Sequence, residues 1–241
     1  MKEKGITGST LKIIAIVTML IDHIGAAIVE RMLMSGKYGL IQISNPVYVT
    51  DMILRGIGRI AFPIFCFLLV EGFLHTANVW KYALRLFLFA MISEIPFDLA
   101  FLGKVIYPGY QNVFFTLLIG LLVMIAFRLT DEKWNKKVLK VTAKILSFTA
   151  GFFLAEFLHT DYGGIGIICI MVLYLFRFNR TRQILFGALS FLWEITAPLA
   201  FLPISHYNGK RGIRNKYFFY IFYPVHLLIL FFIAWLLGLV Q

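Results

Sequence analysis

The chain has 241 residues, of which 60% are hydrophobic, 17% aromatic and only 15% charged, and its mean hydropathy is +0.84. A soluble globular domain carries roughly 45–50% apolar and about 25% charged residues, so the composition excludes that class. Eight membrane-spanning helices take about 160 residues and leave about 80 for loops and ends. The composition therefore predicts an all-α, polytopic bundle of about eight transmembrane helices, forming one domain over residues 1–241 in the lipid bilayer.

The net charge is +11, from 23 Lys and Arg against 12 Asp and Glu. In a soluble protein this excess would raise the question of nucleic acid, but here the basic residues lie mainly between the apolar runs. Cytoplasmic loops are biased toward Lys and Arg, which accounts for these residues, so we expect no nucleic-acid partner. Cys66 and Cys169 each lie within an apolar run, which predicts packing residues rather than a disulfide framework or a metal site.

In chain order, the first apolar run extends from about Leu11 to Val29 and is preceded by three lysines, Lys2, Lys4 and Lys12. Ionisable residues interrupt this run and more runs follow, so we interpret it as a retained first helix rather than a signal peptide. The later runs lie at about 53–74, 80–102, 112–129, 138–158, 163–178, 183–203 and 217–240.

The charges of the short loops predict the orientation. Segments 128–144 and 177–182 are rich in Lys and Arg, which places both in the cytoplasm. The turn between them contains Glu156, His159 and Asp161 without Lys or Arg, and we expect it on the opposite side. Counting back through the runs predicts a multi-pass protein of the plasma membrane with its N-terminus in the cytoplasm.

The loop at 204–216 conflicts with this count. If all eight runs cross the membrane, the loop lies outside although it carries four positive charges. These cations are Lys210, Arg211, Arg214 and Lys216. Either the seventh run, which contains Pro198 and Pro203, dips into the membrane and returns, or the cations lie outside because they have a function.

Several ionisable residues fall within or at the ends of the apolar runs. They are Asp22, His23, Arg55, Arg59, Glu71, Arg85, Glu94, Asp98 and Glu194. Each costs roughly 2.5–3.5 kcal/mol at the centre of an inserted helix, so these side chains are expected to pair inside the bundle or to line a wet cavity.

The spacing of these residues adds detail. Lys12 and His23 are eleven residues apart, about three helical turns, and so share one stripe with roughly 16 Å of rise between them. The pairs Arg55/Arg59, Glu71/His75 and Glu94/Asp98 each share a helix face because they are four residues apart. One interpretation pairs the two arginines with Glu94 or Asp98 as links between helices.

His23 exchanges protons near neutral pH and sits deep in the first run beside Asp22, although an inert, hydrogen-bonded packing role is the alternative. His226 lies near the same depth in the last run and is a second candidate. The turn Asp161-Tyr162-Gly163-Gly164 enters the sixth run, where Asp161 is a candidate N-cap.

Eight short motifs occur in order along nearly the whole chain. They are Leu11-Lys12-Ile13-Ile14-Ala15 through Met19-Leu20-Ile21-Asp22-His23-Ile24-Gly25, Gly58-Arg59-Ile60-Ala61-Phe62-Pro63-Ile64-Phe65, Glu71-Gly72-Phe73, Ser93-Glu94-Ile95-Pro96-Phe97-Asp98, Asn112-Val113-Phe114-Phe115-Thr116, Asp161-Tyr162-Gly163, Asn208-Gly209-Lys210-Arg211-Gly212 and Tyr223-Pro224-Val225-His226. In this order they resemble the TraX family.

The resemblance implies a function as well as a fold. The founding member of the family is associated with N-terminal acetylation of a conjugative pilin subunit, and the family looks like a compact relative of the integral-membrane acyltransferases. Those larger enzymes carry a basic residue followed, after ten intervening positions, by a histidine in the first helix. Lys12 and His23 match this spacing, with Lys in place of the usual Arg.

The leading hypothesis is therefore acyl transfer from cytoplasmic acyl-CoA to an amine or hydroxyl acceptor whose identity is unknown. Acetyl-CoA is the simplest co-substrate, and no bound cofactor is expected. His23, assisted by Asp22, is the predicted general base. The predicted donor- or acceptor-binding residues are Lys12, Arg55, Arg59, Glu71, Glu94, Asp98, Asn112, Asp161, Lys210, Arg211 and His226. Direct transfer and a covalent acyl-histidine intermediate both remain open.

Two other classes remain alternatives. Clusters of acids, arginines and histidines at mid-membrane also mark the pathways of transporters, and the interrupted seventh run resembles the broken helices of transport sites. A scaffold within a membrane secretion complex would not require His23. Activity that depends on His23 separates the enzyme from both.

Overall fold

The fold is all-helical. A computed structural model describes residues 5–36, 38–39, 41–213 and 216–240, so Lys2, Lys4 and Arg214 lie outside the described residues. The helices are α1 Gly8–Ile24, α2 Glu30–Met34, α3 Pro46–Gly58, α4 Ala61–His75, α5 Val79–Leu102, α6 Val113–Lys133, α7 Lys137–Phe157, α8 Gly163–Leu175, α9 Arg180–Ser190, α10 Phe201–Ser205 and α11 Lys216–Leu236. A π-helical segment, Gly25–Val29, joins α1 to α2, and a 3₁₀ turn, Ala197–Ala200, precedes α10.

Among the described residues, five helical segments are long and apolar enough to cross a membrane. These are Gly8–Met34, Pro46–His75, Val113–Lys133, Lys137–Phe157 and Tyr217–Leu236. They confirm an apolar, membrane-type helical protein, whereas the predicted number of eight crossings is not confirmed. Helix α5 is long enough but carries four ionisable residues, and α8 is apolar but has only 13 residues.

The seventh apolar run is not one continuous helix. Residues 183–203, which we predicted as a span, divide into the end of α9, an irregular stretch, the 3₁₀ turn and α10. Pro198 and Pro203 supply no backbone N–H, which explains why an α-helix does not continue through this stretch. Of the two alternatives for this run, the structure favours the broken segment.

Side-chain caps begin several of the helices at the expected polar residues. Thr7 accepts a hydrogen bond from the Thr10 N–H at the start of α1, and Asn45 accepts one from the Val47 N–H at the start of α3. Asn112 does the same for α6 through the Phe114 N–H. These side chains satisfy backbone donors that a helix leaves unpaired at its first turn.

The contacts divide the chain into two compact units, 1–65 with 92–107 and 191–241, and 66–91 with 108–190. In the first unit, α1 packs against α3 and α11, and its buried core includes Leu11, Ile64 and Leu227. In the second unit, α8 packs against α6, α7 and α9.

Small residues set the helix spacing in the second unit. A side chain at Gly120 would overlap Ile170, and one at Gly151 would overlap Val123, so both glycines allow neighbouring helices to approach closely. Cys66 and Cys169 are buried in this unit, and the Cys169 thiol donates a hydrogen bond to the Ser190 carbonyl oxygen at 3.2 Å.

The N-terminal segment and the loop at 206–213 are joined by backbone hydrogen bonds. Ile6 donates to the His206 carbonyl oxygen at 2.9 Å, and Asn208 donates to that of Ile6 at 3.0 Å. These short bonds place the loop at the same end of the first unit as the start of α1. The loop and the start of α1 are therefore neighbours, whereas the count based on eight crossings would put them on opposite sides of a membrane.

Candidate functional site

The centre of the site is a pair of histidines from α1 and α11. Nδ1 of His23 lies 2.7 Å from Nε2 of His226, and the two rings are nearly parallel, with centroids 4.9 Å apart. Nδ1 of His226 in turn lies 2.7 Å from the carbonyl oxygen of Phe222. His23 is half-buried and His226 is 4% exposed, so His23 is the more accessible residue of the pair.

Aromatic side chains surround the pair. The ring of Phe101 meets His23 edge-on at 5.1 Å between centroids, and the ring of Tyr223 does so at 5.9 Å. Phe222 stacks on His226 at 4.7 Å. The pair is thus enclosed by apolar surface, where hydrogen bonds are stronger than they are in water.

An ion pair lies beside the histidines on α1 and α3. Nη1 of Arg55 donates to Oδ2 of Asp22 at 2.8 Å, with the two side chains 27% and 15% exposed. Gly58 of α3 faces Asp22, and a Cβ at Gly58 would overlap the aspartate side chain. Only glycine therefore allows this approach of α3 to α1.

The broken seventh segment is anchored to the region of α3. Nη1 of Arg59 lies 3.3 Å from Oε1 of Glu194, and the Thr196 hydroxyl donates to the Gly56 carbonyl oxygen at 2.6 Å. Arg55 thus pairs with Asp22 and Arg59 with Glu194, two partners that the expected pairing with Glu94 or Asp98 did not include.

The acids of α5 lie on the helix that also supplies Phe101. Asp98 is fully buried, and its Oδ2 accepts a hydrogen bond from the Tyr107 N–H at 2.6 Å, which holds the chain that follows α5. Glu94 is half-buried one turn earlier. Because Glu94, Asp98 and Phe101 are spaced four and three residues apart, they share the helix face that contacts His23 through Phe101.

Cations gather where α1 begins. The carbonyl oxygens of Lys210 and Arg211 accept hydrogen bonds from Gly8 N–H at 2.8 Å and from Ser9 N–H at 2.9 Å, while both side chains are exposed. Lys12 is near enough to Arg211 to interact electrostatically, and its Nζ lies 5.1 Å from the ring centroid of Phe219. This basic cluster, Lys12, Lys210 and Arg211, lies at the start of α1.

Three predicted site residues lie in the second unit and make structural contacts there. Glu71 lies beside His75, with a carboxylate oxygen 4.0 Å from Nδ1 of that ring. Asn112 is fully buried, caps α6, and donates from Nδ2 to the Ala90 carbonyl oxygen at 2.9 Å.

Asp161 also joins two segments of that unit, because its Oδ1 accepts a hydrogen bond from the Tyr110 hydroxyl at 2.7 Å. The expectation that Asp161 caps α8 is wrong. The cap position is Tyr162, and Oε1 of Glu156 accepts the bond from the Gly164 N–H at 2.7 Å. The longer glutamate reaches the helix start from the preceding helix, which sequence spacing does not reveal.

The second unit also contains a cavity of about 310 Å³, lined by Phe73, Leu74, Arg128, Asp131, Glu132, Tyr174, Arg177 and Phe178. Arg128 donates to the Phe73 carbonyl oxygen and Arg177 to that of Tyr174, near the ends of α4 and α8. Cations stabilise the negative ends of helices, so these contacts account for both arginines.

Sequence reasoning missed the residues that enclose the histidines. Phe101 has no ionisable or hydrogen-bonding group, and Tyr223 was noted only within the motif Tyr223-Pro224-Val225-His226. The partnership of Glu194 with Arg59 was also missed, because the sequence shows neither which helices are neighbours nor how the seventh segment folds back.

The chain was compared with known proteins. A family model described as TraX protein matches residues 7–234. A probable fimbrial assembly protein FimC, serogroup H1, from Dichelobacter nodosus is 32% identical over 253 aligned residues, covering 91% of this chain and 92% of that protein. No solved structure matches the chain.

Proposed function

The chain belongs to the TraX family, and on that basis we propose that it is an integral-membrane acyltransferase. The reaction is transfer of an acetyl group from acetyl-CoA to an amine or hydroxyl. The observation that carries the proposal is the hydrogen-bonded pair of His23 and His226, 2.7 Å apart, in a largely aromatic setting. Acyl transfer to an amine or hydroxyl requires a group that accepts and returns a proton, and histidine does this near neutral pH.

The proposed step uses His23 as the general base. The acceptor nitrogen or oxygen forms a bond to the thioester carbonyl carbon while His23 takes the proton that the acceptor loses. The tetrahedral intermediate then collapses, the carbon–sulfur bond breaks, and the CoA thiolate leaves and takes the proton from His23. Arg55 is proposed to stabilise the developing oxyanion, because its guanidinium has further N–H donors besides the one bonded to Asp22.

The basic cluster is the proposed site for the phosphates of the acyl donor. Lys12, Lys210 and Arg211 provide cations suited to phosphate at the start of α1. His23 lies on the same helical stripe as Lys12, roughly 16 Å further into the membrane. The extended pantetheine arm of CoA has a comparable length, so a donor held by its phosphates at the cluster brings its thioester to the histidine.

The membrane side of the cluster supports this arrangement. We propose that the protein lies in the plasma membrane with its N-terminus in the cytoplasm, and that the loop at 206–213, which is hydrogen-bonded to the start of α1, lies on the same side. The cluster then faces the compartment in which acetyl-CoA is made. The name of the Dichelobacter nodosus relative refers to fimbrial assembly, and we propose a pilin-like N-terminal amine as the acceptor, with an envelope glycan as the second candidate.

Turnover of labelled acetyl-CoA by the purified protein tests the proposal. The full chain in lipid nanodiscs is given acetyl-labelled acetyl-CoA and a short synthetic peptide with a free N-terminal amine, and acetyl-peptide and free CoA are measured. We expect His23→Ala to lower turnover by about 10²–10⁴-fold, the usual contribution of a general base. His75→Ala, which removes an exposed histidine of the second unit, is the control and leaves turnover unchanged.

Two outcomes of the same experiment contradict the proposal. The first is the absence of acetyl-CoA turnover in the unmodified protein, and the second is unchanged turnover in His23→Ala. Flux of a substrate into proteoliposomes without acetyl transfer would instead favour a transporter. Quenched-flow trapping in a single turnover addresses the intermediate, because protein-bound acetyl label identifies an acyl-histidine and its absence identifies direct transfer.

A further inference from the structure

The histidine pair makes two ring-nitrogen hydrogen bonds in series. Nδ1 of His23 and Nε2 of His226 share the first, at 2.7 Å, and Nδ1 of His226 and the Phe222 carbonyl oxygen share the second, also at 2.7 Å. Phe222 precedes His226 by four residues on α11, so the second bond closes within one helical turn. The series ends at the Phe222 carbonyl oxygen, which can only accept a hydrogen bond.

The series determines where the protons lie. A carbonyl oxygen only accepts, so Nδ1 of His226 carries a proton and, in the uncharged ring, Nε2 is bare. A nitrogen–nitrogen contact of 2.7 Å requires one proton between the two atoms, and this proton must then belong to Nδ1 of His23. In the uncharged pair, the lone pair of His23 is therefore on Nε2.

We infer that His226 is a positioning residue that holds His23 in the tautomer whose free lone pair is on Nε2, so that Nε2 is the atom that takes the acceptor's proton. The catalytic meaning of this inference rests on the proposed acyl transfer, whereas the tautomer itself does not. Neutral histidine in water prefers its proton on Nε2, so the pair selects the less common form.

The neighbouring rings keep this arrangement in place. Phe101 and Tyr223 meet His23 edge-on at centroid distances of 5.1 and 5.9 Å. Both rings limit rotation of the imidazole about its Cβ–Cγ bond. Phe222 stacks on His226 at 4.7 Å. Exchange of the two nitrogens of His23 therefore requires the surrounding side chains to move.

The same series stabilises the proton that His23 takes up. When Nε2 receives the acceptor's proton, the ring becomes an imidazolium whose Nδ1–H already donates to His226. The bond from His226 to the Phe222 carbonyl oxygen makes Nε2 of His226 a better acceptor. As the carbon–sulfur bond of the thioester breaks, the proton on Nε2 of His23 passes to the CoA thiolate and the uncharged pair is restored. A carbonyl at the end of the series orients the rings without adding a charge inside the membrane.

Nitrogen-15 NMR of the full chain in nanodiscs tests the tautomer directly. The chain has five histidines, and single replacements assign their signals. We expect His23 to carry its proton on Nδ1, to switch largely to Nε2 in His226→Phe, and to keep the proton on Nδ1 in His226→Gln, whose amide oxygen accepts the same bond. A proton on Nε2 of His23 in the unmodified protein, or no change in His226→Phe, overturns the inference.

Turnover of acetyl-CoA tests whether His226 positions His23 for catalysis. We expect His226→Phe to lower kcat by about 10–100-fold, as loss of an orienting partner does, with little change in KM, and His226→Gln to restore most of it. His75→Phe is the matched control, because its Nδ1 lies 2.8 Å from the carbonyl oxygen of Glu71, four residues earlier, and its ring is exposed. Equal kcat in His226→Phe and the unmodified protein, or equal losses in the Phe and Gln variants, overturns the positioning role.

The two proposals fail in different ways. If turnover depends on His23 but the NMR tautomer is the other one, acyl transfer stands and the positioning role of His226 is wrong. If the unmodified protein shows the expected tautomer but turns over no acetyl-CoA, the proposed function is wrong and the structural half of the inference stands. Thermal unfolding of each variant separates either result from loss of the fold.

Discussion

The ion pair between Asp22 and Arg55 gives a quantitative test of how α1, which carries His23, is fixed against α3. Asp22 precedes His23 directly, and Arg55 reaches it from α3 at 2.8 Å. Asp22→Asn and Arg55→Gln each remove one charge and keep the approximate size of the side chain. The two variants and their combination form a double-mutant cycle, which isolates the interaction between the two groups.

The expected coupling follows from the distance and the burial of the pair. Side-chain exposures of 15% and 27% leave little water between the charges. An effective dielectric constant of about 20 gives about 4 kcal/mol of attraction at about 4 Å, which is an upper limit for the coupling. Measured couplings of polar pairs in bilayer proteins average about 0.6 and reach about 1.7 kcal/mol. We therefore expect a coupling of about 1–1.7 kcal/mol, at the upper end of that range.

Unfolding of the four proteins in mixed detergent micelles provides the free energies for the cycle. A control cycle uses Asp131→Asn and Lys144→Gln, whose pair has a similar distance of 2.7 Å but side-chain exposures of 46% and 29%. Exposed pairs contribute about 0–1 kcal/mol, so the control coupling is expected to be the smaller one. Equal couplings in the two cycles would refute the argument that burial of the Asp22–Arg55 pair fixes α1 against α3.

Further predictions concern packing and capping, each measured as a change in unfolding free energy. Gly58→Ala is expected to lower the free energy of unfolding by about 1–3 kcal/mol because the new methyl overlaps Asp22. In the control variant Gly56→Ala, the nearest atom to the new methyl is 3.8 Å away, so the protein tolerates the change. Similar losses in the two variants would contradict this packing. Asn112→Ala is expected to lose about 1–3 kcal/mol with the α6 cap and the bond to a buried carbonyl, and Asn112→Ser, which keeps an uncharged capping oxygen, loses less. Gly212→Ala should lose more than Gly209→Ala, since both have positive φ but only the former would overlap side chains of the N-terminal segment.

The apolar helices could be predicted because hydrophobic length alone decides whether a segment crosses lipid. The first run, the run after 112 and the last run all became long helices, and Thr7 and Asn112 begin two of them as capping residues do. The division of the seventh run could be suspected from its prolines, but the path of the broken segment could not. That path depends on contacts such as the one from Thr196 to α3, which are distant in sequence.

The sequence predicted which residues belong to the candidate site, but only partly which of them contact one another. His23, His226, Asp22 and Arg55 come together because helices α1, α3 and α11 are neighbours, a fact that no local pattern contains. Asn112 was selected for its motif, and its capping of α6 was not predicted. The side of the loop with Lys210 was left open, because it depends on whether the seventh run, which contains Pro198 and Pro203, crosses the membrane.

The proposed reaction requires that the acetyl thioester is held at His23, and a structure of the full chain with a non-hydrolysable acetyl-CoA analogue would show whether it is. We expect the phosphates of the analogue at Lys12, Lys210 and Arg211, and its acetyl carbon within reach of Nε2 of His23. Density that places the acetyl group away from His23, with the phosphates bound to other residues, would contradict both the proposed reaction and the assignment of the site.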